Sequence, residues 1–194
     1  MMHLGYMHER MSYFMPCTYR LNKIRRRSRK VIDRLDLSVP ADNQVAKTER
    51  VIWMFWNQGI ETAPELVQKC YNSVVQNIHS RKIILLTESN YHDYVTFPDY
   101  IQEKIDKGII TTTHFSDLLR LELLSRYGGT WIDATVLCTS QDIPAYMLDS
   151  KLFVFQLLKP GLVGHCTSIS SWFITAERHN PIIELTKKLI YEYW

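Results

Sequence analysis

From residue 51 onward, apolar and polar positions fall into blocks of two kinds, short continuous runs and longer stretches of helical period. Residues 51–56 (Val-Ile-Trp-Met-Phe-Trp) are the longest unbroken apolar run, far short of the roughly 18 residues that read as a membrane span and about the length of a buried strand. Asn57-Gln58-Gly59 then predicts a turn. Pro64 opens a helix over 64–76 with Leu66, Val67, Cys70, Tyr71, Val74 and Val75 as its inner stripe. Residues 82–87 predict a second buried strand, closed by Glu88-Ser89-Asn90. A short helix begins at Asp99 and is capped by Gly108, and Ile109-Ile110-Thr111 predicts a short third strand. Ser116 is expected to cap a helix that runs to Tyr127 and stops at Gly128-Gly129, with Thr130-Trp131-Ile132-Asp133 as the next strand. Further strands are expected at 152–157 and 170–175, and Pro181 starts a last helix. Apolar strands alternating with helices predict an α/β fold with a central, mostly parallel sheet covered on both faces. In such sheets ligands gather beyond the carboxyl ends of the strands.

Composition narrows the class. With 194 residues, 46% hydrophobic and only seven Gly and seven Pro, the chain is neither disordered nor low-complexity and has the length of one sizeable domain. Charge is unevenly placed. Residues 1–50 carry eleven Lys/Arg against five Asp/Glu, and the remainder twelve against fifteen. Residues 20–34 read as a basic amphipathic helix, open to three uses: a solvated helix flanking the domain, a peripheral contact with an anionic membrane, or a nucleic-acid contact. The last is least favoured, because no aromatics are interleaved for base stacking. Residues 37–44 read as a linker, giving an expected division into 1–45 and 46–194. No signal peptide or transmembrane run is read, so a cytoplasmic location is expected, with peripheral contact at the inner membrane face as an option. Cys17, Cys70, Cys138 and Cys166 are too scattered for a zinc site and read as reduced thiols.

Three places could carry chemistry. In the helix ending at Tyr127, Glu122 and Arg126 share one side as an ordinary solvated pair, whereas Asp117, Arg120 and Leu124 lie nearly opposite and face inward. An inward Asp117–Arg120 pair is either a structural bridge or a site where Arg meets phosphate or sugar and Asp accepts from hydroxyls. Asp133 stands at the carboxyl end of a strand; it is either a turn residue or a ligand for a divalent cation. In the strand 51–56, alternation puts Trp53 and Trp56 on opposite faces, so one is core and Trp56, at the strand end, is either core or a stacking surface for a base.

The run 114–136, His-Phe-Ser-Asp-Leu-Leu-Arg-Leu-Glu-Leu-Leu-Ser-Arg-Tyr-Gly-Gly-Thr-Trp-Ile-Asp-Ala-Thr-Val, resembles the signature of the capsular polysaccharide synthesis glycosyltransferases, which belong with the glycosyltransferases containing a DXD sugar-binding region. Residues 52–59, 63–67, 70–73, 91–98, 171–174 and Asn180-Pro181 are similar to the same family, so the resemblance covers about 50–194. It implies a GT-A fold and retaining transfer from a nucleotide-diphosphate sugar, a UDP- or GDP-sugar, to a saccharide acceptor in cell-surface polysaccharide synthesis. Carried over by position, it implies that Trp56 stacks on the donor base and Asp117 binds donor hydroxyls. Arg120 would contact donor sugar or pyrophosphate, and Gly129 would also belong to the donor site. Asp133 would bind sugar or a divalent cation, Mn²⁺ or Mg²⁺, with Asp133 and Arg120 as the catalytic pair. Asp133-Ala134-Thr135 stands where the motif's name has Asp-x-Asp. Thr is neutral and cannot bind a metal bidentately, so metal binding falls to Asp133 rather than Thr135. Family members continue well beyond a segment like 191–194, so a C-terminally truncated chain is expected. The alternative function is a non-catalytic nucleotide-sugar or glycan-binding remnant of such an enzyme.

Overall fold

The chain divides into two units, residues 1–38 with 158–166 and residues 39–157 with 167–194. The structure, a computed structural model, describes residues 50–156 and 169–194, all in the second unit, and Asn22, Arg26, Arg29 and Asp33 of the first. Asn22, Arg26 and Arg29 are helical and exposed, and the Asp33 amide donates to the Arg29 carbonyl (2.8 Å). The rest of the basic segment 20–34, the linker 37–44, Leu157, Cys17 and Cys166 lie outside the described residues.

The second unit is built on a five-stranded sheet of order β2-β1-β3-β5-β4. Its strands are β1 (Val51–Phe55), β2 (Lys82–Leu86), β3 (Gly129–Ile132), β4 (Leu152–Gln156) and β5 (Ile169–Ala176). β1 pairs in parallel with β2 and with β3. β5 runs antiparallel to both β3 and β4, so it alone opposes the other four strands. All five residues of β1 are buried, as its unbroken apolar run requires. β2 is an edge strand rather than a buried one: only Leu86 is fully covered, and Ile83, Ile84 and Leu85 are half-buried.

Among the described residues five α-helices accompany the sheet: α1 (Glu65–Asn77), α2 (Asp99–Asp106), α3 (Thr112–Tyr127), α4 (Ala145–Asp149) and α5 (Pro181–Tyr193). On one face, Ile52, Met54, Ile132 and Phe173 of the sheet pack with Val74 and Ile78 from α1 and its end and Leu148 of α4. On the other, Trp53, Phe55 and Trp131 meet Ile101 of α2, Leu118, Leu119 and Leu123 of α3 and Ile183 of α5. The sheet is thus covered on both faces, the α/β arrangement the strand and helix pattern predicts. Among the described residues no helix is long and apolar enough to cross a membrane.

Several local expectations are corrected. The buried stripe of α1 is Val67, Cys70, Ser73 and Val74; Leu66 and Val75 flank it on either side, about 50° and 130° from its centre at about 100° per residue, and are exposed. No strand forms at 109–111. Gly108 turns left-handed (φ 67°) and donates to the Ile105 carbonyl, while the Ile109 and Ile110 amides both donate to the Lys104 carbonyl. That helix-end motif ties up the amides a strand would need. α3 therefore starts early, from Thr111 in extended conformation, and Ser116 lies inside it with its hydroxyl on the Thr113 carbonyl. Glu122 is not a solvated partner of Arg126. α5 covers it, so that only 7% of its side chain is exposed; Tyr191 donates to its carboxylate, with Lys187 and Arg126 at 3.8 and 3.7 Å.

Two features hold the site's framework. Gly128 and Gly129 both have positive φ (71° and 97°), and a Cβ on Gly129 would lie 2.7 Å from the Val51 carbonyl oxygen and the Val51 Cγ1. Glycine here lets β3 lie against β1, and the Trp53 indole seals the junction by donating to the Gly128 carbonyl (2.9 Å). Between α3 and α5, Ser125 donates to Glu184 (2.5 Å) and accepts from Lys187 (2.6 Å). Burial alone would push the Glu184 carboxyl up, but Ser125, Lys187 and His179 outweigh it and hold it below the ordinary glutamate value.

Gly129→Ala should cost more than about 2 kcal/mol, since the clash is with backbone and the conformation is strained; urea unfolding of the variant checks this. Because the Glu184 carboxyl is lowered on folding, its contribution is complete above the ordinary glutamate pKa and fades as pH falls through the lower folded value. The stability advantage of wild type over Glu184→Gln should be full at neutral pH and shrink below about pH 4, as measured by urea midpoints across that range.

Candidate functional site

A cleft of about 390 Å³ opens at the carboxyl ends of β1 and β3, the position at which open α/β sheets bind ligands. One wall is Trp56, Asn57 and Gln58, which leave β1. The facing wall is Asp133, Ala134 and Thr135, which leave β3, and the first turns of α3 supply Thr112, Thr113 and Ser116. The parallel register that sets Trp53 beside Trp131 brings the two walls together.

Trp56 is half-buried, seated against Ala63, Val67 and Ala134, and it lines the cleft. Its amide continues the ladder to the Leu86 carbonyl (3.0 Å). The next residue is also fixed: the Asn57 side-chain amide donates to Glu88 (3.1 Å), and the Asn57 carbonyl accepts from the Glu88 amide (3.0 Å). Trp53, by contrast, is 3% exposed and belongs to the core.

Asp133 is fixed on three sides. Its amide donates to the Trp172 carbonyl of β5 (2.8 Å), and its carbonyl accepts from Val136 (3.0 Å), so it also opens a turn. Its Oδ1 accepts from the Trp131 indole (2.6 Å) and from Arg120 Nη2 (3.3 Å). Among the described residues Oδ2 has no hydrogen bond.

Arg120 explains this order. Its side chain is 6% exposed and every nitrogen has a partner. Nε donates to the Ser116 carbonyl (3.3 Å), and Nη1 to the Ser171 carbonyl of β5 (2.8 Å). Nη2 meets the Ser116 hydroxyl (3.3 Å), Asp117 (3.2 Å) and Asp133 (3.3 Å). The guanidinium carbon lies 5.1 Å from the centre of the Trp131 ring. The structural bridge to Asp117 is therefore present, and the same cation also reaches Asp133. Burial pushes the Asp117 carboxyl up; Arg120 and His114 oppose this, Asp133 adds to it, and the net result is above the ordinary aspartate value.

Asp117, Arg120, Asp133 and Trp56 are thus gathered at one end of the sheet, but only Trp56 and Asp133 line the cleft. Arg120 and Asp117 reach it through Asp133 and Ser116. Gly129 is not brought to it: it opens β3, four residues or about 13 Å of extended chain from Asp133. Thr135 is exposed on the rim. Among the described residues no group of three or more His, Cys, Asp or Glu could hold a metal by itself. The donor set still fits a cation of the Mg²⁺ type, which is commonly held by one or two carboxylates with the remaining positions filled by phosphates and water. Asp133 Oδ2 is the carboxylate oxygen available for it.

Sequence reasoning missed Trp131, Ser116 and the two β5 carbonyls. Trp131 was within reach, since a strand residue two before Asp133 shares its face. The carbonyls had no signal, because any residue supplies one.

Fold and site together define an α/β protein with an open cleft at its strand ends. Residues 7–194 match the family described as capsular polysaccharide synthesis protein, and the chain belongs to that family. It is 26% identical over 165 residues to O-glycosyltransferase braB of Annulohypoxylon truncatum, covering 76% of this chain and 38% of that protein. It is 23% identical over 154 residues to O-glycosyltransferase PaGT of Phomopsis amygdali, covering 71% and 37%. The matched region thus spans less than two fifths of the length of these relatives.

Replacing Arg120 by Ala removes the cation from a buried pair, so Arg120→Ala should lose about 3–5 kcal/mol of stability. Chemical denaturation measures it; a loss below about 1 kcal/mol, the size of a surface pair, would contradict the network.

Proposed function

We propose that this chain forms the donor-binding part of a glycosyltransferase, which moves a sugar from a nucleotide-diphosphate sugar to a saccharide acceptor with retention of configuration, in the synthesis of a cell-surface polysaccharide. The observation that carries the reading is the cleft itself, with a seated indole on one wall and a carboxylate locked in place on the other. Membership of the capsular polysaccharide synthesis family and the names of the relatives support it.

In this reading the Trp56 ring stacks on the base of UDP or GDP. Asp133, with Oδ1 fixed by Trp131 and Arg120, presents Oδ2 to the donor. A divalent cation, Mn²⁺ or Mg²⁺, held by Asp133 Oδ2 would supply charge neutralisation for the departing diphosphate. Arg120 acts as a positioning residue: its donors are spent on Ser116, Ser171 and the two aspartates, and it sets the carboxylate rather than meeting the donor. Asp117, outside the cleft lining, helps hold the Arg120 guanidinium that also meets Asp133. Thr112 and Thr113 line the same cleft and offer hydroxyls to the phosphates or ribose. A fixed set of groups aimed at developing charge is the arrangement that lowers transfer barriers most.

A thermal-shift panel of UDP, GDP and their sugar conjugates, each with and without Mn²⁺, tests this. At about a hundredfold excess over its dissociation constant a native-state ligand adds about 2.7 kcal/mol, a rise of several degrees for a chain of this size. One nucleotide should give that rise, larger with Mn²⁺, and Asp133→Asn and Trp56→Ala should abolish it. No shift with any of them would overturn the reading, and a shift without turnover would identify a binding remnant.

A further inference from the structure

Trp172 is set apart from the other four tryptophans. Trp53 and Trp131 are core, Trp56 lines the cleft, and Trp194 buries its indole nitrogen, whereas Trp172 is exposed (37%). It is also not a loose surface ring. Phe155 of β4 stacks on it, 4.7 Å between centres and 14° between planes. Phe155 is in turn held edge-on by Phe153 (5.0 Å) and Phe173 (5.7 Å), and Phe173 is buried in the core. A line of contacts thus fixes the plane of an indole that remains open to solvent.

Its place gives this platform a use. The Trp172 carbonyl accepts the Asp133 backbone amide (2.8 Å), so the platform stands on the strand paired with the one that ends at the cleft carboxylate, while the Trp56 strand lies on that strand's other side. Across the sheet the order is the Trp56 strand, the Asp133 strand, then the strands of Trp172 and Phe155. Ser171 and Gln156 flank the two rings in sequence, and neither side chain has a hydrogen-bond partner among the described residues. An aromatic face attracts the partially positive C–H groups of an apolar surface. Polar groups beside it suit hydroxyls at that surface's edge. A pyranose ring has both.

We propose that Trp172, backed by Phe155, is the acceptor platform: a pyranose ring of the acceptor saccharide stacks on the indole, with Ser171 and Gln156 at its hydroxyls, next to Asp133. This rests on the donor reading of the cleft, and the two are separable because each has its own tryptophan.

Fluorine NMR of the full chain carrying fluorotryptophan, with the Trp172 and Trp56 signals assigned by Trp→Phe variants, reads both at once. The probes are the methyl α- and β-pyranosides of glucose, galactose and mannose, with cyclohexanol as a ring lacking the hydroxyl rim, added in the presence of UDP or GDP. At least one pyranoside should move the Trp172 signal saturably with a millimolar dissociation constant, leaving Trp56 unmoved. Phe155→Ala, which leaves the indole in place but removes its backing, should weaken that binding about tenfold. No movement of Trp172 with any pyranoside up to roughly 50 mM, or equal movement with cyclohexanol, would overturn the proposal. A Trp172 response with no nucleotide response at Trp56 would uphold the sugar platform and remove the donor reading instead.

Discussion

One buried cation organises the sheet end. A guanidinium withdrawn from water is tolerable only if its charge and all its donors are met, and those of Arg120 are met by three elements at once: α3 through Ser116 and Asp117, β3 through Asp133, and β5 through the Ser171 carbonyl. The geometry of Asp133 therefore follows from core packing. Trp131 contributes twice, since its ring supports the guanidinium and its indole N–H meets the same Asp133 oxygen. A carboxylate constrained in this way has little rotamer freedom left to lose on meeting a ligand.

The glycine pair before β3 is part of the same construction. Gly128 and Gly129 let the strand start hard against Val51, and that contact sets the parallel register which delivers Asp133 opposite Trp56. Gly129 thus bears on the cleft from a distance, by fixing strand position, whereas the family resemblance put it in the donor site itself. Family signatures record what a site needs without separating contact from support.

Much of this was legible in order along the chain. Strands made of continuous apolar residues, such as β1, and helices opened by Pro64 and Pro181 carry their signal locally. The failures came where tertiary contacts decide. Ile109 to Thr111 look like strand residues until Gly108 closes the preceding helix and frees Thr111 to start α3. Glu122 looks solvated until α5, more than fifty residues later, lies over it. At the site, helical spacing alone paired Asp117 with Arg120 and put both inward. The third partner, Asp133, came from another element, and the full satisfaction of Arg120 by Ser171 and Ser116 could not be seen, because backbone carbonyls are not written in a sequence.

The strand order bears on how the chain is made. β1, with five buried residues and no polar face, precedes its partner β3 by more than seventy positions, and β5, the sole antiparallel member, must arrive after β4 to join the two halves. During synthesis the Val51–Phe55 segment therefore waits with only β2 beside it, a short apolar ribbon with one open edge. Such a segment is a natural site for chaperone capture or intermolecular pairing, and the late strands are what retire that hazard.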